Sequence, residues 1–383
     1  MTNNKIFYLA IYSRSDIQDD ERYYPLSGAL KIEGITKALR NAGYEIEIIS
    51  MSPTHGKISV PAWHGEIQEG VFLTLFHSLG RKNIYTHFLD NILIRISFLL
   101  YVLKHIRSTD TVIVYHSLAY MKMVMFLKKI IRFRLVLELE EIYADVISGS
   151  FSRKNEIRLI HISDQYILPT KLIAEKMHLP CDNYVVIHGS YQYAVQKQIH
   201  YFSDQKIHIV YAGTLDPRKG CIEAMRAAEY LPNNYVIHIL GSDINPLFNT
   251  TLKEITEKQE ESHATVIYEG LLKGEIYNHF LQKCHLGLCT QDPHADFTDT
   301  SFPSKVLSYL SNGLRVLAIR IKALETSDLR DILYFYTENK PECIADAIIG
   351  IDFSKHYDSS SKLNQLFLES VHNLKNLIDS QPY

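Results

Sequence analysis

Near-continuous runs of valine, isoleucine and leucine recur along this 383-residue chain, separated by helix-length amphipathic segments. Residues 6–12, 44–49, 111–115, 135–139 and 184–188 read as strands in the first half. Residues 207–211, 235–240, 265–268, 286–289 and 316–319 read as strands in the second. Helix patterns lie between them, at 28–41 and 118–131, then at 219–231, 246–262, 273–284 and 304–312. Apolar strands alternating with helices imply a parallel sheet covered on both faces. Two successive sets imply an α/β chain of two doubly wound, Rossmann-like domains facing a cleft. The polar, aperiodic stretch 192–206 places the division at residues 1–195 and 196–383. A final amphipathic helix at about 359–378, striped by Leu363, Leu366, Phe367, Val371, Leu374 and Leu377, closes the fold and is expected to pack back on the first domain.

Composition narrows the function. At 46% hydrophobic residues the chain fills two cores. The net charge of -3 divides unevenly: residues 1–200 hold 23 Lys+Arg against 19 Asp+Glu, and the remainder 17 against 24. That tilt is too mild for a nucleic-acid protein. Cys181, Cys221, Cys284, Cys289 and Cys343 are odd in number and lack C-x-x-C spacing, so free thiols in a reducing, cytoplasmic setting are expected. The apolar run at 6–12 is too short for a signal peptide and meets Arg14 and Asp16 at once. The most apolar helix, 92–106, carries Arg95 and Lys104, and no membrane span is expected.

Ligands of doubly wound sheets bind at the carboxyl ends of strands. The first strand of the second domain ends in Tyr211-Ala-Gly-Thr-Leu-Asp-Pro-Arg-Lys-Gly220. Gly213 admits a close backbone approach, and Arg218 and Lys219 stand at the mouth of the next helix, suited to a diphosphate. Alone, such a turn is ordinarily a solvated charged loop. A second phosphate-type feature in the same domain shifts the balance. Pro303, Ser304 and Lys305 open a helix that Gly313 stops, so free N–H groups, a hydroxyl and an ammonium meet at its positive end. The chain has no G-x-G-x-x-G, which disfavours a nicotinamide dehydrogenase, and no G-x-x-x-x-G-K-[ST], which disfavours an ATPase. It has no Asp-x-Asp pair for a bridging cation. Phosphate charge is therefore expected to be met by Arg218, Lys219, Lys305 and helix ends, with no metal and no cofactor.

In the first domain, Glu138, Glu140 and Glu141 end a strand, where carboxylates orient hydroxyls or move protons; a solvated strand end is the plainer reading. His116 ends the neighbouring strand, as a buried histidine or as a sugar contact. The long charged loop 13–27 joins the first strand to the first helix and is expected to be functional. Residues 121–134 interleave apolar side chains with Lys122, Lys128, Lys129, Arg132 and Arg134, either as a sheet-covering helix with basic ends or as a contact with an anionic membrane surface.

These motifs resemble those of family 4 glycosyltransferases of the GT-B fold. Val210-Tyr-Ala-Gly-Thr-Leu-Asp-Pro-Arg-Lys-Gly-Cys is similar to the family's first strand and turn, and Phe302-Pro-Ser-Lys-Val-Leu-Ser-Tyr-Leu-Ser-Asn-Gly-Leu-Arg-Val-Leu-Ala to its phosphate helix. Leu240-Gly241-Ser242 and Val266-Ile-Tyr-Glu-Gly270 fall at its glycine turn and nucleotide-flanking loop. In the first half the likeness rests on the Gly28 loop, the strand that follows Ala42 and residues 137–146. The resemblance implies a metal-independent, retaining transfer of a sugar from a nucleoside diphosphate to a glycan or lipid-linked acceptor, in surface polysaccharide assembly, at the inner face of the membrane. Lys219 would hold the donor phosphates, with Arg218 beside it. Ser304 and Lys305, opened by Pro303, would meet the diphosphate, and Gly213, Thr214 and Gly241 would make room for the nucleotide or sugar. Glu269 and Gly270 would flank the base, while Gly28 and His116 would lie on the acceptor side, with Glu140 and Glu141 in catalysis. Two departures stand out. Thr214 replaces a frequent arginine, and the glutamates that hold the ribose fall at Ser308 and Thr300. A hydroxyl makes fewer and weaker bonds to a diol than a carboxylate. The alternatives are a non-catalytic partner protein of the same fold, or a sugar-nucleotide epimerase.

Overall fold

The apolar runs of the first half pair as parallel strands because they are buried on both faces, and parallel pairing lets helices cover each face. The computed structural model describes residues 4–14, 16, 21–143, 150–193, 202–242, 245–257, 260–295, 298 and 300–380. Residues 15 and 17–20 of the long first loop, 144–146 of the first-half likeness, 194–201 of the expected linker and 299 lie outside them. The chain divides into Met1–Ser190 with Leu368–Tyr383, and Tyr191–Phe367.

The first unit holds β1 (Lys5–Leu9), β2 (Glu45–Ser50), β3 (Trp63–Gln68), β4 (Val71–Leu75), β5 (Thr111–Tyr115), β6 (Arg134–Glu138), β7 (Gln165–Leu168) and β8 (Tyr184–Val186). Their order is β3-β4-β2-β1-β5-β6-β7-β8, parallel except for the antiparallel β3–β4 pair. The sheet reverses direction of growth at β1, and the register sets Leu9 beside Val114 and Tyr115 beside Glu138. Three strand ends thus meet at one edge. The helices are α1 (Leu26–Asn41), α2 (Ile84–His105), α3 (Met121–Ile131), α4 (Ser150–Ile162) and α5 (Lys171–Met177). The β3–β4 hairpin was not legible in the sequence, because Trp63-His-Gly-Glu-Ile-Gln is half polar and half exposed.

Two expectations change at α2. The helix starts eight residues before the apolar run at 92. Asn83 caps it, accepting from the Tyr85 and Thr86 amides at 3.0 Å, while Thr86 Oγ1 accepts from the Asn83 amide, a closed capping box. Asp90, polar in the sequence, is fully buried and accepts from Ser78 Oγ and the Leu79 amide. The longer helix also bears on the expectation of no membrane span: Asp90, Arg95 and Lys104 interrupt it, yet by length and composition alone α2 could cross a membrane, with mean hydropathy 1.4 over an 18-residue window.

The second unit holds β9 (Ile207–Ala212), β10 (Tyr235–Leu240), β11 (Thr265–Gly270), β12 (Leu286–Cys289), β13 (Arg315–Ile319) and β14 (Tyr334–Tyr336), in the order β11-β10-β9-β12-β13-β14. All five pairings are parallel. This is the doubly wound order whose switch point, here between β9 and β12, is the usual ligand crevice. Its helices are α6 (Cys221–Arg226), α7 (Pro246–Glu257), α8 (Gly274–Leu281), α9 (Ser304–Ser311), α10 (Lys322–Glu325) and α11 (Pro341–Ile349). The last helix, α12 (Ser360–Asp379), begins in this unit and ends in the first. Its end is held there by Tyr44, whose hydroxyl donates to Asp379 at 2.5 Å, and by Gln165, which donates to the Leu377 carbonyl at 2.8 Å. The sequence reading divides the chain at 195/196; the units divide at 190/191, with residues 368–383 in the first. All five cysteines are free thiols.

Candidate functional site

At the end of β9 the chain must leave the sheet and reach α6 in a few residues, and three glycines allow it. Gly220 has φ +82, and a Cβ there would stand 1.8 Å from the Thr290 carbonyl oxygen, just past β12. Thr290 Oγ1 donates to the Gly220 carbonyl at 2.6 Å, so the loop after β9 is clamped across the switch point. Gly241 passes Gly213 so closely that a Cβ would meet the Gly213 carbonyl at 2.0 Å. Asp216 caps the short 3-10 turn Pro217–Lys219, accepting from the Arg218 amide at 2.9 Å. Buried Tyr211 ties the loop together, its hydroxyl within 3.1 Å of the Thr214 carbonyl and 3.0 Å of the Lys219 carbonyl.

Helix α9 is fixed against the same strands. The Ala212 amide donates to the Tyr309 hydroxyl at 2.7 Å, and the Tyr309 ring fills the space that a side chain at Gly287 would need. Pro303 sits at the N-cap, so the helix opens at Ser304, which is exposed. Half-buried Lys305 reaches back into the loop. Its ammonium donates to the Lys219 carbonyl at 3.3 Å, lies 3.9 Å from the centre of the Tyr211 ring, and is 3.6 Å from where a side chain on Gly213 would begin. Burial pushes Lys305 down to about 8, and the nearby Lys219 acts in the same direction. Lys219, Lys305, Gly213, Gly241 and the start of α9 therefore converge at the β9/β12 switch point, as the sequence motifs required.

Other residues stand differently. Arg218 is exposed and turned onto Asp216, Nη2 to Oδ2 2.7 Å, which holds the Asp216 carboxyl below its usual range. Thr214 is exposed and gives the loop its carbonyl rather than its side chain. Ser308 Oγ is bonded to the Tyr277 hydroxyl of α8 at 2.9 Å, and Thr300 is buried. Gly270, with φ +75, accepts from the Gly241 amide at 2.9 Å and so borders the site. Glu269 is turned onto His238 Nδ1 at 2.8 Å. Among the described residues no group of three metal-type ligands is assembled.

In the first unit the strand-end carboxylates form a buried cluster. Glu138 is fully buried, bonded to the Tyr8 hydroxyl, and pushed up to about 8 by burial and by the Glu140 charge, against the pull of Lys31. Lys31 pairs with Glu140 and donates to the Ile187 carbonyl at 3.1 Å. Gly28 lies against the Tyr115 hydroxyl, 3.3 Å from where its side chain would start. Glu141 is half-buried. His116 is enclosed rather than surface-facing; its ring stacks on Tyr143 at 4.8 Å, and burial pushes it down to about 4. Tyr8 and Lys31 escaped the sequence reading. Lys31 carried one signal, a charge next to Ile32 and Ile35 on the buried stripe of α1.

Lys31→Met tests this cluster. A buried carboxylate that loses its partner destabilises by about 3 kcal/mol. Glu138 titrates higher in the folded state than the unfolded value of about 4.3, so the folded state binds more protons and stability falls as pH rises from about 4 to 8. The variant is expected to steepen that fall. Thermal unfolding at pH 5 and pH 8 checks it, and an equal loss at both would remove the charge explanation.

No protein-family model matches the chain, and no curated protein matches it in sequence. Solved structures do match. A trehalose-6-phosphate synthase, OtsA, is 10% identical, with a TM-score of 0.70 over 99% of this chain and 100% of the other. The sucrose-phosphate synthase of Thermosynechococcus elongatus is 12% identical, with a TM-score of 0.62 over 96% and 94%. HepE of Anabaena, solved with UDP and glucose, is 11% identical, with a TM-score of 0.61 over 98% and 97%. Identities this low carry the fold: the chain has the two-unit, Rossmann-like GT-B fold of these proteins.

Proposed function

We infer that this chain is a metal-independent glycosyltransferase, moving a sugar from a nucleoside diphosphate sugar to a glycan or lipid-linked acceptor with retention. Its place is surface polysaccharide assembly, at the cytoplasmic face of a membrane. One observation carries the reading: the Lys305 ammonium, at the start of α9, lies 3.3 Å from the Lys219 carbonyl at the switch point of the second unit. A helix start and two lysines supply preorganised positive charge where a diphosphate departs. In the transfer, the bond from the sugar's anomeric carbon to the phosphate oxygen breaks with its electron pair going to that oxygen. The acceptor oxygen bonds the same carbon from the same face. The acceptor proton passes to the departing phosphate oxygen, so no separate base is required. Lys219 and Lys305 hold the charge, Gly213 and Gly241 leave room, and Gly270 borders the nucleotide. Glu140, with Glu138 behind it, orients acceptor hydroxyls in the first unit. HepE in complex with UDP and glucose supports a nucleotide donor on this fold.

Titration calorimetry with UDP and GDP, in EDTA, tests the donor site. Binding of one of them, lost in Lys305→Met, is the expected result. Binding of neither would overturn the donor reading. It would favour a non-catalytic partner of the same fold, for which Ser308, engaged with Tyr277 where the resemblance places a glutamate, is the specific observation. Turnover of a donor with no acceptor present would assign an epimerase instead.

A further inference from the structure

Helix α2 carries two apolar faces, and the fold uses one. Asp90, Ile94, Phe98 and Val102, spaced four apart, are buried against the sheet, where Phe98 meets Phe76 and Tyr120 edge-on. Half a turn away, Tyr85, Phe88, Ile92, Ile96, Leu100 and Leu103 form a second stripe, exposed from end to end; Tyr85 is 82% exposed and Phe88 68%. Of the exposed large apolar side chains in the described chain, no other element carries so many. Exposed apolar area on this scale marks an interaction surface. Helix α3 packs beside α2 and adds exposed Phe126 and Ile130.

The charge around the stripe identifies what it meets. Residues 81–137 contain ten Lys and Arg and two acids, Asp90 and Asp110, both buried. Within this segment the accessible charge is therefore positive only, with Asp164 of a neighbouring element paired to Lys128. On the helical wheel Arg95 and Lys104 flank the α2 stripe, and Lys122 and Lys129 share the face of α3 with Phe126 and Ile130, all four cations exposed. A second copy of the chain, docked face to face, would set these cations against themselves. A spanning arrangement would strip Phe98 and Val102 from the core. An apolar stripe flanked by lysine and arginine suits a helix lying in the headgroup layer of an anionic leaflet.

We propose that α2, flanked by α3, docks this protein in the plane of an anionic lipid bilayer, with the Tyr85–Leu103 stripe among the acyl chains and the surrounding lysines and arginines on lipid phosphates. This gives the membrane contact of the proposed function a defined surface. Its test reads lipid binding alone, so its failure leaves the nucleotide test standing.

Vesicle flotation of the full chain tests it, with phosphatidylcholine vesicles and with vesicles containing about one third phosphatidylglycerol, at 0.1 M and 0.5 M salt. The expected result is binding to the anionic vesicles only, weakened at least tenfold at the higher salt. Ile92→Gln with Ile96→Gln, and separately Lys122→Glu with Lys129→Glu, each reduce it at least tenfold, while unfolding temperatures stay at the parent value because all four side chains are exposed. With Trp63 changed to Phe, Phe88→Trp is expected to show a blue-shifted, lipid-quenchable emission on binding. Absence of vesicle binding, or binding indifferent to the α2 pair, overturns the proposal. So does a concentration-dependent dimer abolished by the α2 pair without vesicle binding, which would make a second copy the occupant. Retention in the membrane after high-salt and alkaline washing would mark a spanning helix and overturn it as well.

Discussion

Lys305→Met is expected to lower the rate of sugar transfer by about 100- to 1000-fold, the usual cost of removing one preorganised charge donor from a developing anion. Methionine keeps an unbranched side chain of similar bulk and removes the ammonium, so the loss reports mainly on the charge. Lys219→Ala is expected to fall in the same range, and unchanged turnover in either variant would refute the phosphate role. The effect has a pH signature. Lys305 titrates near 8 in the folded protein, below the ordinary lysine value of about 10.5. Between those values the unfolded chain binds more protons than the folded one, so stability rises with pH across that window. Nucleotide affinity moves the other way. It falls above pH 8 towards tenfold per unit, and binding at pH 8 takes up about half a proton. Calorimetry in two buffers of different ionisation enthalpy measures that uptake. Zero uptake in the parent protein, or uptake that persists in Lys305→Met, would contradict the assignment.

Gly220→Ala is expected to destabilise the second unit by about 4 kcal/mol, from two independent costs. An alanine at φ +82 carries backbone strain of roughly 1–3 kcal/mol. Its methyl group also needs space 1.8 Å from the Thr290 carbonyl oxygen and 2.6 Å from Thr290 Oγ1, and overpacking of that kind adds about 1–3 kcal/mol. The neighbour is backbone of the β12 end, so no flexible side chain can swing away. For a unit of this size the melting temperature should drop by roughly 10 °C. Thermal unfolding of the full chain reads it, with Gly43→Ala as control, since nothing lies within 4 Å of that position and only the φ strain remains. Equal losses in the two variants would show that the Thr290 clamp is unimportant.

What the sequence revealed depended on how local the determinant was. Ten of the parallel strands were legible because strands buried on both faces need unbroken apolar runs; β4, β7 and β14, at three to five residues, were too short to stand out, and the strand order was not read. The convergence of Gly213, Lys219 and Lys305 was legible because each sits at a strand-to-helix turn, and topology brings such turns together. The start of α2 was not, since Asp90 reads as a surface residue until Ser78 and Leu79 supply its partners. Side-chain aim was equally hidden. Arg218 and Glu269 occupy expected positions, yet Asp216 and His238 draw them elsewhere. Tyr211 and Tyr309, which hold the loop to the helix, look like ordinary core aromatics until their hydroxyls are traced to Lys219 and Ala212.

The path of the chain through α12 bears on synthesis. The first unit is discontinuous: residues 1–190 lack the segment 368–383, whose bonds to Tyr44, Arg134 and Gln165 can form only after that segment has been translated. The second unit is a single uninterrupted piece, 191–367. On the ribosome, then, the first unit begins to emerge before the second yet is completed after it, and residues 1–190 have to be tolerated without their closing helix for as long as 191–367 take to be translated.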